Sequence, residues 1–158
     1  MKLFKKQRVF LAPCDGEVIE LSRVPDPVFS EGMLGIGIAV EPLQDTVCSP
    51  VDGQVVSIAD AAHAYTLLSE DGLELLLHVG IDTVELKGEG YHPAVAIGDR
   101  VRAGDPLVRI DREKIQARGY ALTTPLIVTN PECLGQHTPV YGNAEGGKTP
   151  ILRYTLSE

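Results

Sequence analysis

The chain has 158 residues, 44% of them hydrophobic and 23% charged, which suits one soluble globular domain built around a single core. A net charge of −8 at pH 7 excludes nucleic acid as a partner, because phosphate contacts need clustered Lys and Arg. No apolar run approaches the ~20 residues of a membrane-spanning helix and no signal-peptide stretch opens the chain, so a cytoplasmic protein without stable membrane insertion is expected.

Residues 1–8, MKLFKKQR, hold four of the fourteen basic residues and read as a flexible basic tail ahead of one domain at 9–158. Sixteen glycines, eleven prolines and no Trp imply short elements joined by tight turns. β-branched and apolar runs at 17–21, 35–40, 54–58, 65–68, 73–79, 106–110, 126–129 and 151–155 predict strands. Asp15-Gly16, Asp52-Gly53, Asp71-Gly72 and Gly104-Asp105 supply turns between them. The one predicted helix covers 111–118, with Asp111 as N-cap and Gly119 as stop.

An internal repeat, APCDGEVI at 12–19 and SPVDGQVV at 49–56, twice feeds a strand from a proline-led turn and implies a sheet of two related halves. Residues 97–108 read as a glycine-punctuated hairpin. The fold class is therefore all-β: an antiparallel sandwich or barrel with two related halves and few short helices.

Cys14, Cys48 and Cys133 are odd in number and lack C-x-x-C spacing, which argues for buried apolar roles instead of a disulfide framework or zinc knuckle. Of four histidines, His63 and His78 flank a predicted hairpin of strands 64–69 and 73–79. With an even-numbered loop, His78 would face an odd-numbered residue. The two imidazoles would then share a face, with Cβ atoms roughly 5–8 Å apart. His78 ends an apolar strand beside Gly80, open to a partner, and Asp82 follows. A neutral imidazole is a nucleophile and a second one can hydrogen-bond a transferred phosphoryl group. No P-loop or kinase signature is present. On these residues alone a metal half-site, a transfer pair and a packing coincidence all stay open.

HVGIDTVELKGEGY at 78–91 closely resembles the phosphorylation-site signature of glucose-type enzyme IIA domains of the phosphoenolpyruvate-dependent sugar phosphotransferase system. VPDPVF at 24–29, SPVDG at 49–53 and LTTPLIVTN at 122–130 resemble the same family in the same order. The resemblance implies a β-sandwich or barrel with the duplicated architecture of that family. It implies a phosphocarrier that accepts phosphate from the phosphocarrier HPr on His78 Nε2, with His63 supporting onward transfer to a cysteine of an EIIB domain. Asp26 and Asp82 would meet the basic donor, and Val28 and Phe29 would form an apolar docking rim. No cofactor is required, although His63 and His78 could share a zinc ion with a partner.

Three departures stand out. Ala61 replaces a hydroxyl residue two positions before the second histidine. Gly35-Ile36-Gly37 replaces Gly-Asp-Gly, and Ala59 and Leu76 stand where Phe is frequent. His92 and His137 match nothing functional. Competing readings are a phosphorylation-dependent regulatory module acting on other target proteins and a zinc hydrolase on a related fold. The latter lacks the His-x-His pair and third ligand it would need. A biotinyl or lipoyl carrier fails for want of its lysine turn.

Overall fold

A computed structural model describes residues 8–158; seven residues of the expected basic tail lie outside the described residues. Arg8, read as part of that tail, is instead the first residue of strand β1 (Arg8–Leu11), opposite Tyr154. The strands that follow are β2 (Gly16–Glu20), β3 (Ile36–Pro42), β4 (Thr46–Cys48), β5 (Gly53–Ile58), β6 (Ala64–Ser69) and β7 (Glu74–His78). Then come β8 (Tyr91–Pro93), β9 (Arg100–Val101), β10 (Pro106–Ile110), β11 (Thr124–Val128), β12 (Leu134–Pro139), β13 (Gly142–Ala144) and β14 (Pro150–Leu156). Two short helices, α1 (Pro27–Ser30) and α2 (Arg112–Ala117), accompany them.

All strand pairings among the described residues are antiparallel. An eight-stranded sheet, ordered β13-β2-β3-β11-β7-β6-β5-β9, packs against two three-stranded sheets, β1-β14-β12 and β4-β10-β8. Apolar side chains of all three sheets, among them Phe10, Val47, Leu67, Leu77, Ile110, Leu126 and Ile151, meet in one core. This is the β-sandwich expected from the sequence.

The two related halves are visible in the pairing. Strands β4 to β10 form one half without interruption, and β1 to β3 with β11 to β14 form the other around it. Gly53 faces Ser69 and Val101 as Gly16 faces Pro42 and Ala144. Cys48 faces Pro106 as Leu11 faces Pro150. The halves meet where β7 pairs β11, at Leu77 opposite Leu126.

The repeated Pro-x-Asp-Gly has a physical reason in each copy. The Leu11 N–H donates to the Pro50 carbonyl at 3.0 Å and the Cys48 N–H to the Pro13 carbonyl at 2.6 Å, so the two copies cross. Neither proline has an N–H to return the bond. Asp15 Oδ1 accepts from Gly146 N–H and Asp52 Oδ1 from Ala103 N–H, each at 2.8 Å, which anchors each returning loop. A Cβ at Gly16 or Gly53 would stand 2.1 or 2.2 Å from the carbonyl oxygen of Glu41 or Leu68, so only glycine lets the partner strand approach.

Other expectations are corrected. The 97–108 segment is not a hairpin: β9 pairs β5, while β10 pairs β4 and β8 in another sheet. Asp111 makes no side-chain cap to α2, because its carboxylate is drawn to His92 and Arg109 at 3.1 and 3.0 Å.

Candidate functional site

His78 is the last residue of β7 and His63 lies just before β6. Their ring centroids are 4.9 Å apart and the planes stand at 83°, so the two imidazoles meet edge to face. The sequence argument reached that pairing through the wrong register. The loop between β6 and β7 is odd-numbered, Ser69 being closed on Leu73, and His78 faces Ala64. A regular strand would therefore turn residue 63 toward the core, with Tyr65 and Leu67. Ala62, with φ of 60°, breaks the strand before it can do so, and His63 swings toward His78. The His63 carbonyl still accepts from the Val79 N–H at 2.7 Å, so backbone pairing survives the turn.

Backbone strain is concentrated around these histidines. The three non-glycine residues with positive φ among the described residues are Ala62, Asp82 and Lys87. One adjoins His63 and two lie in the loop that follows His78. Each such residue costs roughly 1–2 kcal/mol, which the rest of the fold sustains.

His78 Nδ1 lies 2.7 Å from the Gly80 carbonyl oxygen. A carbonyl can only accept, so Nδ1 carries the ring proton and Nε2 keeps its lone pair. Burial lowers the pKa of His78; the Gly80 bond and the charges of Asp26 and Asp82 oppose that shift. Burial and the neighbouring imidazole of His78 lower that of His63. Both rings are consequently neutral near pH 7. His63 is 7% exposed, and its Nδ1 has no hydrogen-bond partner. The hydroxyl residue missing at Ala61 is therefore not replaced by another group. Tyr65 on β6 also buries an unpartnered hydroxyl.

Phe29 requires a correction. It is 5% exposed, with its ring centroid 5.0 Å from that of His78, so it is a wall of the site and not an exposed rim. Together with Ile19, Val24, Ala39, Ile81 and Ile127 it makes a second small core on the outer face of the large sheet. Val28, at 41% exposed, does present its side chain to solvent. Asp26 caps α1 by accepting from the Val28 N–H at 2.9 Å, and Asp82 is exposed. His92 and His137 are both exposed, His92 paired with Asp111.

Sequence reasoning assigned no role to Thr83 or Tyr91, and read Gly80 only as leaving His78 open to a partner. Gly80, with φ of 89°, supplies the carbonyl that selects the tautomer of His78. Thr83 and Tyr91 both donate their hydroxyls to the Val79 carbonyl, at 3.0 and 2.7 Å. The available signal was their place inside the 78–91 signature, but spacing alone does not tell which carbonyl a hydroxyl will reach.

Among the described residues no group of three or more His, Cys, Asp or Glu side chains could hold a metal, and His63 with His78 makes only two ligands. No helix of the described residues is long and apolar enough to cross a membrane. Chemically, the arrangement offers one neutral nucleophilic nitrogen beside a second imidazole.

Comparison with known proteins gives a consistent match. A family model described as phosphoenolpyruvate-dependent sugar phosphotransferase system, EIIA 1, matches residues 8–134. The PTS system glucose-specific EIIA component of Staphylococcus epidermidis is 41% identical over 147 residues, covering 92% of this chain and 89% of the relative. The PTS system glucose-specific EIIBCA component of Corynebacterium glutamicum is 39% identical over 147 residues, covering 93% of this chain. The chain spans only 22% of the length of that composite relative. Among solved structures, the glucose permease IIA from Mycoplasma capricolum superposes with a TM-score of 0.87 at 34% identity, covering 96% of this chain and 99% of that one.

Proposed function

The chain belongs to the EIIA 1 family of the phosphoenolpyruvate-dependent sugar phosphotransferase system, and we propose that it is a phosphocarrier with His78 Nε2 as the phosphoryl acceptor. The observation that carries this reading is the Gly80 carbonyl on His78 Nδ1, which leaves Nε2 unprotonated beside the second imidazole.

In the proposed step the Nε2 lone pair attacks the phosphorus of a phosphohistidine on HPr. A new N–P bond forms as the donor's N–P bond breaks, and the departing imidazole keeps that electron pair. His63 in its Nε2–H form donates to a phosphoryl oxygen and stabilises charge during transfer. The group then passes to a cysteine thiolate of an EIIB domain, a partner supported by the composite EIIBCA relative. Asp26 and Asp82, whose charges act on His78, together with exposed Val28 would form the docking edge for a basic donor, and one domain from Arg8 onward would carry the chemistry.

The test is phosphoryl transfer from phosphoenolpyruvate through purified enzyme I and HPr, read by intact mass. Wild type gains a single acid-labile phosphate and His78→Ala gains none. His63→Ala still gains it but passes it to an EIIB domain about a hundredfold more slowly. An unlabelled wild type beside a competent control acceptor overturns the reading.

A further inference from the structure

Three consecutive peptide units after His78 are each tied down. The Val79 N–H donates to the His63 carbonyl at 2.7 Å. The Val79 carbonyl accepts two hydroxyls, Thr83 Oγ1 at 3.0 Å and Tyr91 OH at 2.7 Å. The next unit joins the Gly80 carbonyl to the Ile81 N–H; its oxygen accepts from His78 Nδ1 at 2.7 Å while its N–H donates to the Ala121 carbonyl at 3.0 Å.

The joint in this series is Gly80, whose φ of 89° is open to glycine and strained for other residues. A glycine at such a position has more freedom than any other residue, so its carbonyl points reliably only if both neighbouring peptide units are held. Strand pairing ends at His78 and cannot hold the Val79 carbonyl. The two hydroxyls do so. Val79 and Thr83 are fully buried and Tyr91 is 5% exposed, so neither bond competes with water. They also fill the space under the glycine: a Cβ on Gly80 would lie 2.6 Å from Thr83 Cγ2 and 3.1 Å from the Tyr91 hydroxyl.

We propose that Thr83 and Tyr91 are positioning residues for His78, fixing the Val79 carbonyl so that the Gly80 carbonyl holds the ring proton on Nδ1 and leaves Nε2 free to take the phosphoryl group. The phosphoryl half of this statement rests on the carrier reading. The tautomer half does not. Loss of both hydroxyls frees the peptide plane, turns the Gly80 carbonyl away and lets the proton move to Nε2, where it blocks attack. Either hydroxyl alone retains part of the hold, because the Val79 oxygen has two lone pairs and each bond occupies one.

The test uses the full chain with Thr83→Val and Tyr91→Phe, singly and together, and Thr83→Ser as the variant that keeps a hydroxyl. Two-bond nitrogen–proton NMR correlations report which nitrogen of His78 carries the proton, and phosphate acceptance from phospho-HPr reports the rate. The expected result is a wild-type Nδ1–H tautomer, a double variant that populates Nε2–H and accepts phosphate about tenfold more slowly, and Thr83→Ser close to wild type. A double variant that keeps both the Nδ1–H tautomer and the wild-type rate overturns the proposal. Should the double variant fail to fold, Tyr91→Phe decides by the same readouts: a partial tautomer shift supports the proposal and none overturns it. A wild type that accepts no phosphate while the tautomer shifts in the double variant removes the carrier reading and leaves the positioning role standing.

Discussion

The two halves of the large sheet place different chemistry on equivalent positions. In the half made of β4 to β10, His78 faces Ala64; in the other half Ile127 faces Gly37. The same correspondence sets Ile36 against His63. Ile127 is fully buried in the small outer core, beneath Val24 and Phe29, and Ile36 is exposed. One reason lies in the connections. Between β5 and β6 the chain needs only residues 59–63, a tight link ending in His63, whereas between β2 and β3 residues 21–35 form a long cover carrying α1. That cover seals Ile127 and also reaches across the axis to set Phe29 against His78. A duplicated sheet thus yields one reactive site because the loops, not the strands, differ.

Exchanging residues between the halves sharpens this contrast. The largest effect is expected from His78→Ile, which installs the residue of the silent half. Phosphate acquisition should vanish in the intact-mass assay while thermal unfolding shifts by less than about 1 kcal/mol, since a partly exposed polar ring gives way to an aliphatic one. A smaller but clear effect follows from the reverse exchange. Ile127→His should cost about 3 kcal/mol in denaturant titration, because it buries an unpartnered imidazole among aliphatic groups. It should also gain no second phosphate, since Thr129 and not a glycine stands two residues on. A second label on that variant would break the comparison.

The smallest effect is one of pH. Burial lowers the pKa of both His63 and His78, so below about 6.5 the unfolded chain takes up protons that the folded rings still refuse. Stability should therefore fall as pH drops below that value, and these two groups should add no dependence above it. Comparing wild type with His63→Ala and His78→Ala in unfolding titrations across pH 5 to 8 isolates their share, which is expected to shrink in each variant.

Much of the fold was legible in the residues. Alternating β-branched runs found eight strands, because one face of each is buried against a core. Of the six remaining strands four are very short: β9 has two residues, and β4, β8 and β13 have three each. Windows so brief carry no period, and these strands exist because longer neighbours offer unpaired edges. Asp111 shows the same limit from another side. It stands where an N-cap belongs, yet His92 on β8 and Arg109 on β10 claim its carboxylate.

By itself, the amino-acid sequence determined an all-β chain with an internal repeat, and a pair of histidines worth testing beside a recognisable signature. Only the tertiary structure decided how those histidines meet. Local parity put His63 and His78 on one face by assuming an even loop, whereas the real register separates them and Ala62 restores the contact by leaving the strand. Only the fold, too, decided that Phe29 is a wall and that Thr83 and Tyr91 converge on the Val79 carbonyl. The physical reason is common to all three. Strand period and turn chemistry are local, while burial, ring orientation and the choice of a hydrogen-bond partner depend on elements that meet only when the chain closes on itself.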